Sequence, residues 1–327
     1  MTSDHKPRVI LLAAVPPDLR AAIDASCEVV AAPGAALPPG TDLAELLKGV
    51  RGALTTIRAG IDDPLLARCP DLKVVSNVAV GYDNIDVPAA TRRGVLVCNT
   101  PGVLDAAVAD LTMVMLLSLG RGALDADRFV RSGGWNAGAF PLTRDIAGKT
   151  LGIVGLGRIG RMVARRARAF DMDVVYYKPN RDTGAEAEGL ATYCNRDELF
   201  QRADFVSLHL PFTEATRRGV GAREFALMKP TAYFINTARG SVVDEAALIE
   251  ALKAKTIAGA ALDVMEKEPI GADHPLCGLP NVMLLPHIGS ATVETRRAMM
   301  ELAVKNLIAA ACGDRAPAMV NPEVLDR

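Results

Sequence analysis

No charge of either sign dominates this chain of 327 residues: 37 basic side chains stand against 38 acidic ones, a balance of −1. That excludes a nucleic-acid binder working through bulk electrostatics. Long hydrophobic runs are also missing. The stretch 9–15 leads into Pro16-Pro17-Asp18 without a small-residue cleavage site, so it reads as a buried strand rather than a signal peptide. The stretch 111–119 falls far short of the ~20 residues that a membrane span needs. There is no C-x-x-C spacing. The six cysteines (Cys27, Cys69, Cys98, Cys194, Cys277, Cys312) are scattered, and no two Cys or His residues stand at zinc-ligand spacing. Reduced, mostly buried thiols and no metal site are expected. Tandem repeats and low-complexity tracts are absent too. What is present is apolar content: half the residues are hydrophobic, enough to offset the ordering entropy that keeps polar chains unfolded. At about 100–200 residues per domain, the length predicts two domains. The expectation is a globular, cytoplasmic α/β enzyme.

Short apolar runs alternate with amphipathic stretches. Runs at 9–14, 53–57, 74–78 and 95–98 predict buried strands, and 18–25, 42–48, 64–68 and 87–93 predict the helices between them. Continuously apolar strands separated by helices indicate a parallel sheet covered on both faces. A long helix is expected over 105–119, with Asp105 as its N-cap and Gly120 as its stop. A glycine-rich connector, Gly133 to Gly138, follows. Strands resume at 150–154, 174–177, 205–208, 233–236, 258–262 and 282–285, and 291–311 reads as one terminal helix. The coarse expectation is two α/β domains with a helical arm between them.

Gly155, Gly157 and Gly160 form G-x-G-x-x-G directly after the strand at 150–154, with a helix expected over 162–170. The first glycine allows a tight turn, the second lets backbone approach a pyrophosphate, and the third lets helix and strand pack closely. A helix N-terminus beside such a loop offers free N–H groups to phosphates. A bound dinucleotide is expected. The next strand of such a unit normally ends in an acidic residue that binds the adenosine ribose. Here it ends in Lys178, with Arg181 three positions on. Two cations suit a ribose 2′-phosphate, so NADP(H) is favoured, with NAD(H) possible.

Hydride exchange at a carbon beside a carboxylate needs a cation for the carboxylate, a group that exchanges a proton near neutral pH, and a carboxylate to orient that group. Only four histidines exist. His5 is expected in a disordered tail, and His274 sits in a loop between Asp273 and Pro275. His209 and His287 both follow expected strands, where ligands bind in α/β sheets. Arg239, in Asn236-Thr237-Ala238-Arg239-Gly240, also follows a strand, as does Asp263, with Glu268 in the loop beyond it.

In this order, Gly155 to Gly160, Asn236 to Gly240, Asp263 with Glu268-Pro269, and Pro286-His287-Ile288-Gly289-Ser290-Ala291-Thr292 resemble the D-isomer specific 2-hydroxyacid dehydrogenases. Asn77 to Asp86 and Asn99 to Leu104 support the resemblance, which covers nearly the whole chain. It implies two doubly wound parallel-sheet (Rossmann and flavodoxin-like) domains. The substrate domain would be 1–101 plus 288–327, and the inserted cofactor domain 102–287. A homodimer formed through the cofactor domains and the arm at about 102–148 is implied as well. In the implied site Arg239 binds the substrate carboxylate and keto oxygen, His287 is the acid/base and Glu268 its partner. Backbone at Val80 and Gly81 would hold the other end of the carboxylate. Asp263 would sit beside the nicotinamide carboxamide. Arg158, Ile159, Pro211 and Thr216 would line the dinucleotide, joined by Thr237, Ala238 and Gly289 within the quoted motifs.

The segments 128–133, Trp135 and 140–144 resemble the NADPH-using reductases of glyoxylate, hydroxypyruvate and hydroxyphenylpyruvate. Two positions depart from the family pattern: Asp105 stands where Thr is common, and Ala79 where Gly is common. The rivals are a dinucleotide-sensing corepressor of the same fold and, among enzymes, a phosphoglycerate dehydrogenase. A small 2-oxoacid or 2-hydroxyacid is the expected partner, with no nucleic acid and no membrane.

Overall fold

A computed structural model describes residues 6–33 and 40–326, so His5 lies outside the described residues. The chain begins β1 (Arg8–Leu11), α1 (Pro17–Ser26), β2 (Glu28–Ala31), α2 (Leu43–Leu47), β3 (Gly52–Thr55), α3 (Asp63–Ala67), β4 (Val74–Asn77), α4 (Val87–Arg92) and β5 (Leu96–Cys98). It continues with α5 (Asp105–Arg121), α6 (Ala123–Arg131), β6 (Thr150–Val154), α7 (Arg158–Ala169), β7 (Asp173–Tyr177), α8 (Thr183–Ala187), β8 (Thr192–Tyr193), α9 (Arg196–Arg202) and β9 (Phe205–Leu208). Then come α10 (Ala222–Leu227), β10 (Tyr233–Asn236), α11 (Glu245–Lys253), β11 (Gly259–Leu262), β12 (Val282–Leu284) and α12 (Val293–Cys312). Contacts divide it into two units, residues 1–104 with 292–327, and residues 105–291.

Unit 1 is a five-stranded sheet of order β2-β1-β3-β4-β5, every pairing parallel. β3 and β4 are wholly buried, including the polar Thr55, Ser76 and Asn77 at their carboxyl ends. α12 returns to this sheet: the buried Ser76 hydroxyl donates to the Ala303 carbonyl at 2.8 Å. The last residues close the β5 edge. Asn321 accepts from the Val97 N–H at 2.7 Å and donates to Val95 O at 3.0 Å and Thr91 Oγ1 at 2.9 Å. This buried side chain and the Val320 N–H, which donates to Val97 O at 2.8 Å, together satisfy the backbone of the strand edge.

Unit 2 is a seven-stranded parallel sheet of order β12-β11-β10-β9-β6-β7-β8. The chain leaves β6 toward β7 and β8, then restarts at β9 on the other side of β6. A crevice for ligand opens at the carboxyl ends of strands where the winding reverses, here β6 and β9. One core lies on each face of the sheet: Phe200, Phe225 and Phe234 belong to one, Tyr176 and Phe205 to the other.

Several expectations are corrected. The arm helix does not stop at Gly120, which is buried against Ile146 and Phe205; α5 runs to Arg121, and the chain turns at Gly122, where φ is +57°. Asp105 does not cap α5, because its carboxylate points to another partner. Strands β2 and β8 and helix α6 were not expected. α7 begins at Arg158 rather than 162, with Gly157 as its N-cap residue. Among the described residues no single helix is long and apolar enough to cross a membrane.

Replacing Asn321 by Ala would leave the Val97 N–H and the Val95 carbonyl buried without a partner. We expect a loss of about 2–4 kcal/mol, read as a lowered urea midpoint at unchanged m-value.

Candidate active site

The carboxyl ends of β6 and of β9 to β12 carry the chemistry of unit 2. After β6 the backbone of Gly155 takes φ +99°, and a Cβ there would lie 2.5 Å from the His209 carbonyl oxygen. Gly160 is equally constrained, since its Cβ would lie 2.5 Å from Gly155 O. Around Gly157 nothing lies within 4 Å of a built Cβ, so that stretch of backbone faces open space. Turn, open approach and close helix packing are the three things a dinucleotide pyrophosphate requires of this loop. The first N–H groups of α7 have no intrahelical acceptor and complete an anion cradle. Ile159 packs its side chain on the core, which leaves only its backbone toward the loop.

Arg158 does not extend freely into that cradle. Its Nε donates to Oδ2 of Asp105 at 2.8 Å, and the other Asp105 oxygen is buried with no hydrogen-bond partner. A residue expected to cap a helix instead holds the first arginine of the phosphate loop. After β9, the Thr216 hydroxyl donates to the Pro211 carbonyl at 2.8 Å and closes the loop at the crevice.

The cationic pair beyond β7 is only partly available. Lys178 follows the strand directly, but Arg181 is bidentate on Glu186 (2.7 and 2.5 Å) and lies over the Tyr193 ring. Glu186 also accepts from the Tyr176 hydroxyl, and Asp182 binds Arg161 at 3.0 Å. Two cations therefore share their loop with two carboxylates, which the strand-end reading did not count.

Arg239, Glu268 and His287 are assembled from three strand ends. After β10, the Asn236 amide donates to Arg239 O and accepts from Ala238 N, both at 2.9 Å, which fixes the turn that presents Arg239. Thr237, in that turn, meets the buried Thr112 of α5, hydroxyl to hydroxyl at 3.1 Å. Gly240 follows because only a glycine fits: a Cβ would lie 1.9 Å from the Met265 backbone. This close approach brings in the loop after β11. There Met265 N–H donates to Glu268 Oε1 at 3.0 Å, and Glu268 Oε2 meets His287 Nδ1 at 2.6 Å. Burial pushes the Glu268 carboxyl up, but the bond to His287 and the charges of His287 and Arg239 overcome it and hold the group below its usual range. Arg239, Glu268 and His287 are thus electrostatically one cluster.

Asp263 underlies it. Its two oxygens accept from the N–H groups of Ile288 (2.7 Å) and Gly289 (2.8 Å), and its own N–H donates to Asn236 O. Burial raises its pKa against those two donors. His287, at φ +56°, is held between Asp263 and Glu268. His209 differs: burial pushes its imidazole down to about 4 although part of the residue reaches the surface, and Nε2 bonds the Ser207 hydroxyl at 2.9 Å. It is neutral at working pH. His274 pairs with Glu245 at 3.2 Å, in a loop that includes none of the cluster. In unit 1, Asn99 and Asn77 hold the carbonyls of Val80 (2.8 Å) and Gly81 (3.0 Å).

A family model described as D-isomer specific 2-hydroxyacid dehydrogenase, NAD binding domain, matches residues 113–289. Glyoxylate reductase of Thermococcus litoralis is 46% identical over 326 residues, covering 98% of each chain. The NADPH-dependent glyoxylate/hydroxypyruvate reductase of Sinorhizobium meliloti, solved with NADP and malonate, superposes with a TM-score of 0.85 at 36% identity, covering 96% of this chain and 97% of that one. A glyoxylate reductase from Paecilomyes thermophila superposes with a TM-score of 0.89 at 33% identity, covering 97% and 99%.

Asp263→Asn keeps the shape but turns one acceptor into an NH2 that faces a backbone N–H. A loss of about 1–3 kcal/mol in stability is expected, with kcat reduced as His287 shifts, read by urea denaturation and steady-state kinetics.

Proposed function

The chain belongs to the D-isomer specific 2-hydroxyacid dehydrogenase family and is an NAD(P)-dependent oxidoreductase, and from that premise we propose that it reduces glyoxylate or hydroxypyruvate with NADPH. The observation that carries the reading is the 2.6 Å contact of His287 with Glu268, within the electrostatic reach of Arg239. The product is the 2-hydroxyacid, of D configuration where the carbon is chiral.

When bound, the reduced nicotinamide supplies the hydride. Arg239 binds the substrate carboxylate with one edge of its guanidinium and faces the keto oxygen with the other, stabilising the negative charge that develops there. His287 commits Nδ1 to Glu268, so Nε2 is the atom that gives the proton to the forming alkoxide. Glu268 fixes the ring orientation and stabilises its protonated form. Val80 and Gly81 are the proposed backbone contribution of unit 1 to carboxylate binding. The proposed dinucleotide contacts are Gly155, Gly157, Arg158, Ile159, Gly160, Pro211, Thr216, Thr237, Ala238, Asp263 and Gly289.

NADPH is favoured on the strength of Lys178, with Arg181 contributing by exchanging Glu186 for the 2′-phosphate. The similarity to an NADP-bound reductase supports the same choice. We further propose a homodimer built on the arm at about 102–148. Val114, Leu124, Val130, Trp135 and Leu142, all large apolar residues of that segment, are exposed in the single chain.

His287→Gln is expected to lower kcat with glyoxylate by at least about 10³-fold while the NADPH dissociation constant changes less than about threefold. Near-normal turnover would remove His287 from the role. For the cofactor, Lys178→Ala should raise KM for NADPH by about tenfold or more and leave KM for NADH nearly unchanged. An equal effect on both would assign the lysine no part in choosing between them.

A further inference from the structure

Unit 1 carries a pair of thiols that the proposed reaction does not use. α1 and α12 run side by side in the same direction. At their N-terminal ends Arg297 grips Asp18 with Nη1–Oδ1 at 2.9 Å and Nη2–Oδ2 at 2.5 Å. At their C-terminal ends the Cys312 thiol donates to the Ser26 carbonyl at 3.9 Å. The next residue is Cys27, whose backbone N–H closes α1 on Ile23 O and whose thiol lies near enough to that of Cys312 for the two to act on each other electrostatically. Ser26 O and Cys27 Cα are separated by about 3 Å across one peptide unit, so Cys312 Sγ lies within about 7 Å of Cys27 Cα. A disulfide needs the two Cα atoms about 4.4–6.8 Å apart, which a local closing of the two neighbouring helix ends would supply.

The two thiols are unequal. Cys27 is buried and Cys312 is exposed. Burial, with Cys312 beside it, pushes the Cys27 thiol up to about 12, which keeps it protonated and unreactive by itself. Cys312 is the sulfur a dissolved oxidant reaches. Among the other cysteines Cys69, Cys98 and Cys194 are buried, and the exposed Cys277 contacts the Gly271 carbonyl rather than a second sulfur.

We propose that Cys27 and Cys312 form an oxidation site that a peroxide converts into an intramolecular disulfide fastening α1 to α12. In the first step the Cys312 sulfur attacks a peroxide oxygen. The O–O bond breaks, the sulfur is oxidised to a sulfenic acid, and the peroxide is reduced to water or an alcohol. In the second, the Cys27 sulfur attacks Cys312 Sγ. The S–S bond forms as the S–O bond breaks, and hydroxide leaves with the Cys27 proton as water. Enforced contact with Cys312 compensates for the low reactivity of Cys27, because attack is intramolecular. The closed loop spans nearly the whole chain, so the bridge restricts the unfolded state more than a short loop would. The site does not depend on the proposed reductase activity.

The test treats the full-length, reduced protein with hydrogen peroxide, blocks remaining thiols with iodoacetamide under denaturing conditions, and reads the intact mass and a non-reducing peptide map. The expected result is two fewer alkylated cysteines, one peptide pair joining Cys27 to Cys312, reversal by dithiothreitol, and a higher melting temperature for the oxidised chain. Cys312→Ser should show no cross-link. Cys27→Ser should accumulate a sulfenic acid at Cys312 that dimedone traps. The proposal is overturned if all six thiols still alkylate, or if Cys312 becomes a sulfinic acid while Cys27 still alkylates. It is also overturned if the bridge forms between two chains or leaves the melting temperature unchanged.

Discussion

The strand ends of unit 2 that carry Arg239, Glu268 and His287 hang on one buried carboxylate. Asp263 leaves β11 with its N–H bonded back to the β10 exit at Asn236 and both oxygens bonded forward to the segment after β12. Three adjacent strand ends are therefore joined through a single residue, by its backbone on one side and its carboxylate on the other. Burial penalises the charge and raises the carboxyl's pKa, and two aligned N–H donors work against that rise. Since backbone N–H groups need a full acceptor on each oxygen, a carboxylate suits this position better than an amide. Its consequence is chemical: His287 is presented at a fixed height above the sheet, where Glu268 can reach Nδ1.

A second constraint is steric. Gly240 lets the β11 loop approach the Arg239 turn to a distance no Cβ tolerates. The arginine that would bind a carboxylate and the glutamate that orients the histidine become neighbours through the absence of one methyl group. Glu268 feels both charges, which is why its carboxyl stays ionised despite burial. The bond from His287 and the charges of His287 and Arg239 all act on Glu268, so removing either partner changes the field at that carboxyl.

Charge pairing reshapes the phosphate end of the site. Arg158 is shared with the buried Asp105, and Arg181 with Glu186. Bare counting of cations along the sequence overstates the positive potential offered to a dinucleotide. Both carboxylates come from segments whose proximity is set by packing: Asp105 from the start of α5, where α5 lies against α7, and Glu186 from α8. Arg181 is thus already paired within its own loop, and Lys178 is the cation that directly follows the strand.

Much of this was legible in the sequence, because strand, turn and helix signals are local. Continuous apolar runs located most strands of both sheets, and G-x-G-x-x-G, Arg239 and His287 could be placed at strand exits from their immediate neighbours. Elements without such a signal were not seen. β8 is two residues long and leaves no pattern, and α6 carries its apolar residues on a face that is exposed in the single chain, so it has no buried stripe. The start of α7 was misplaced because a glycine inside an arginine-rich turn reads as a breaker, whereas Gly160 is there to pack on Gly155. By itself the sequence determined the parallel α/β class, the nucleotide loop and the residue types available for catalysis, since each depends on short-range stereochemistry and burial. Only the tertiary structure decided which charges pair, that His209 is neutral while His287 meets Glu268, and that Cys27 lies against Cys312. Those outcomes depend on distances between residues far apart in the chain, which the packing of helices on sheets alone sets.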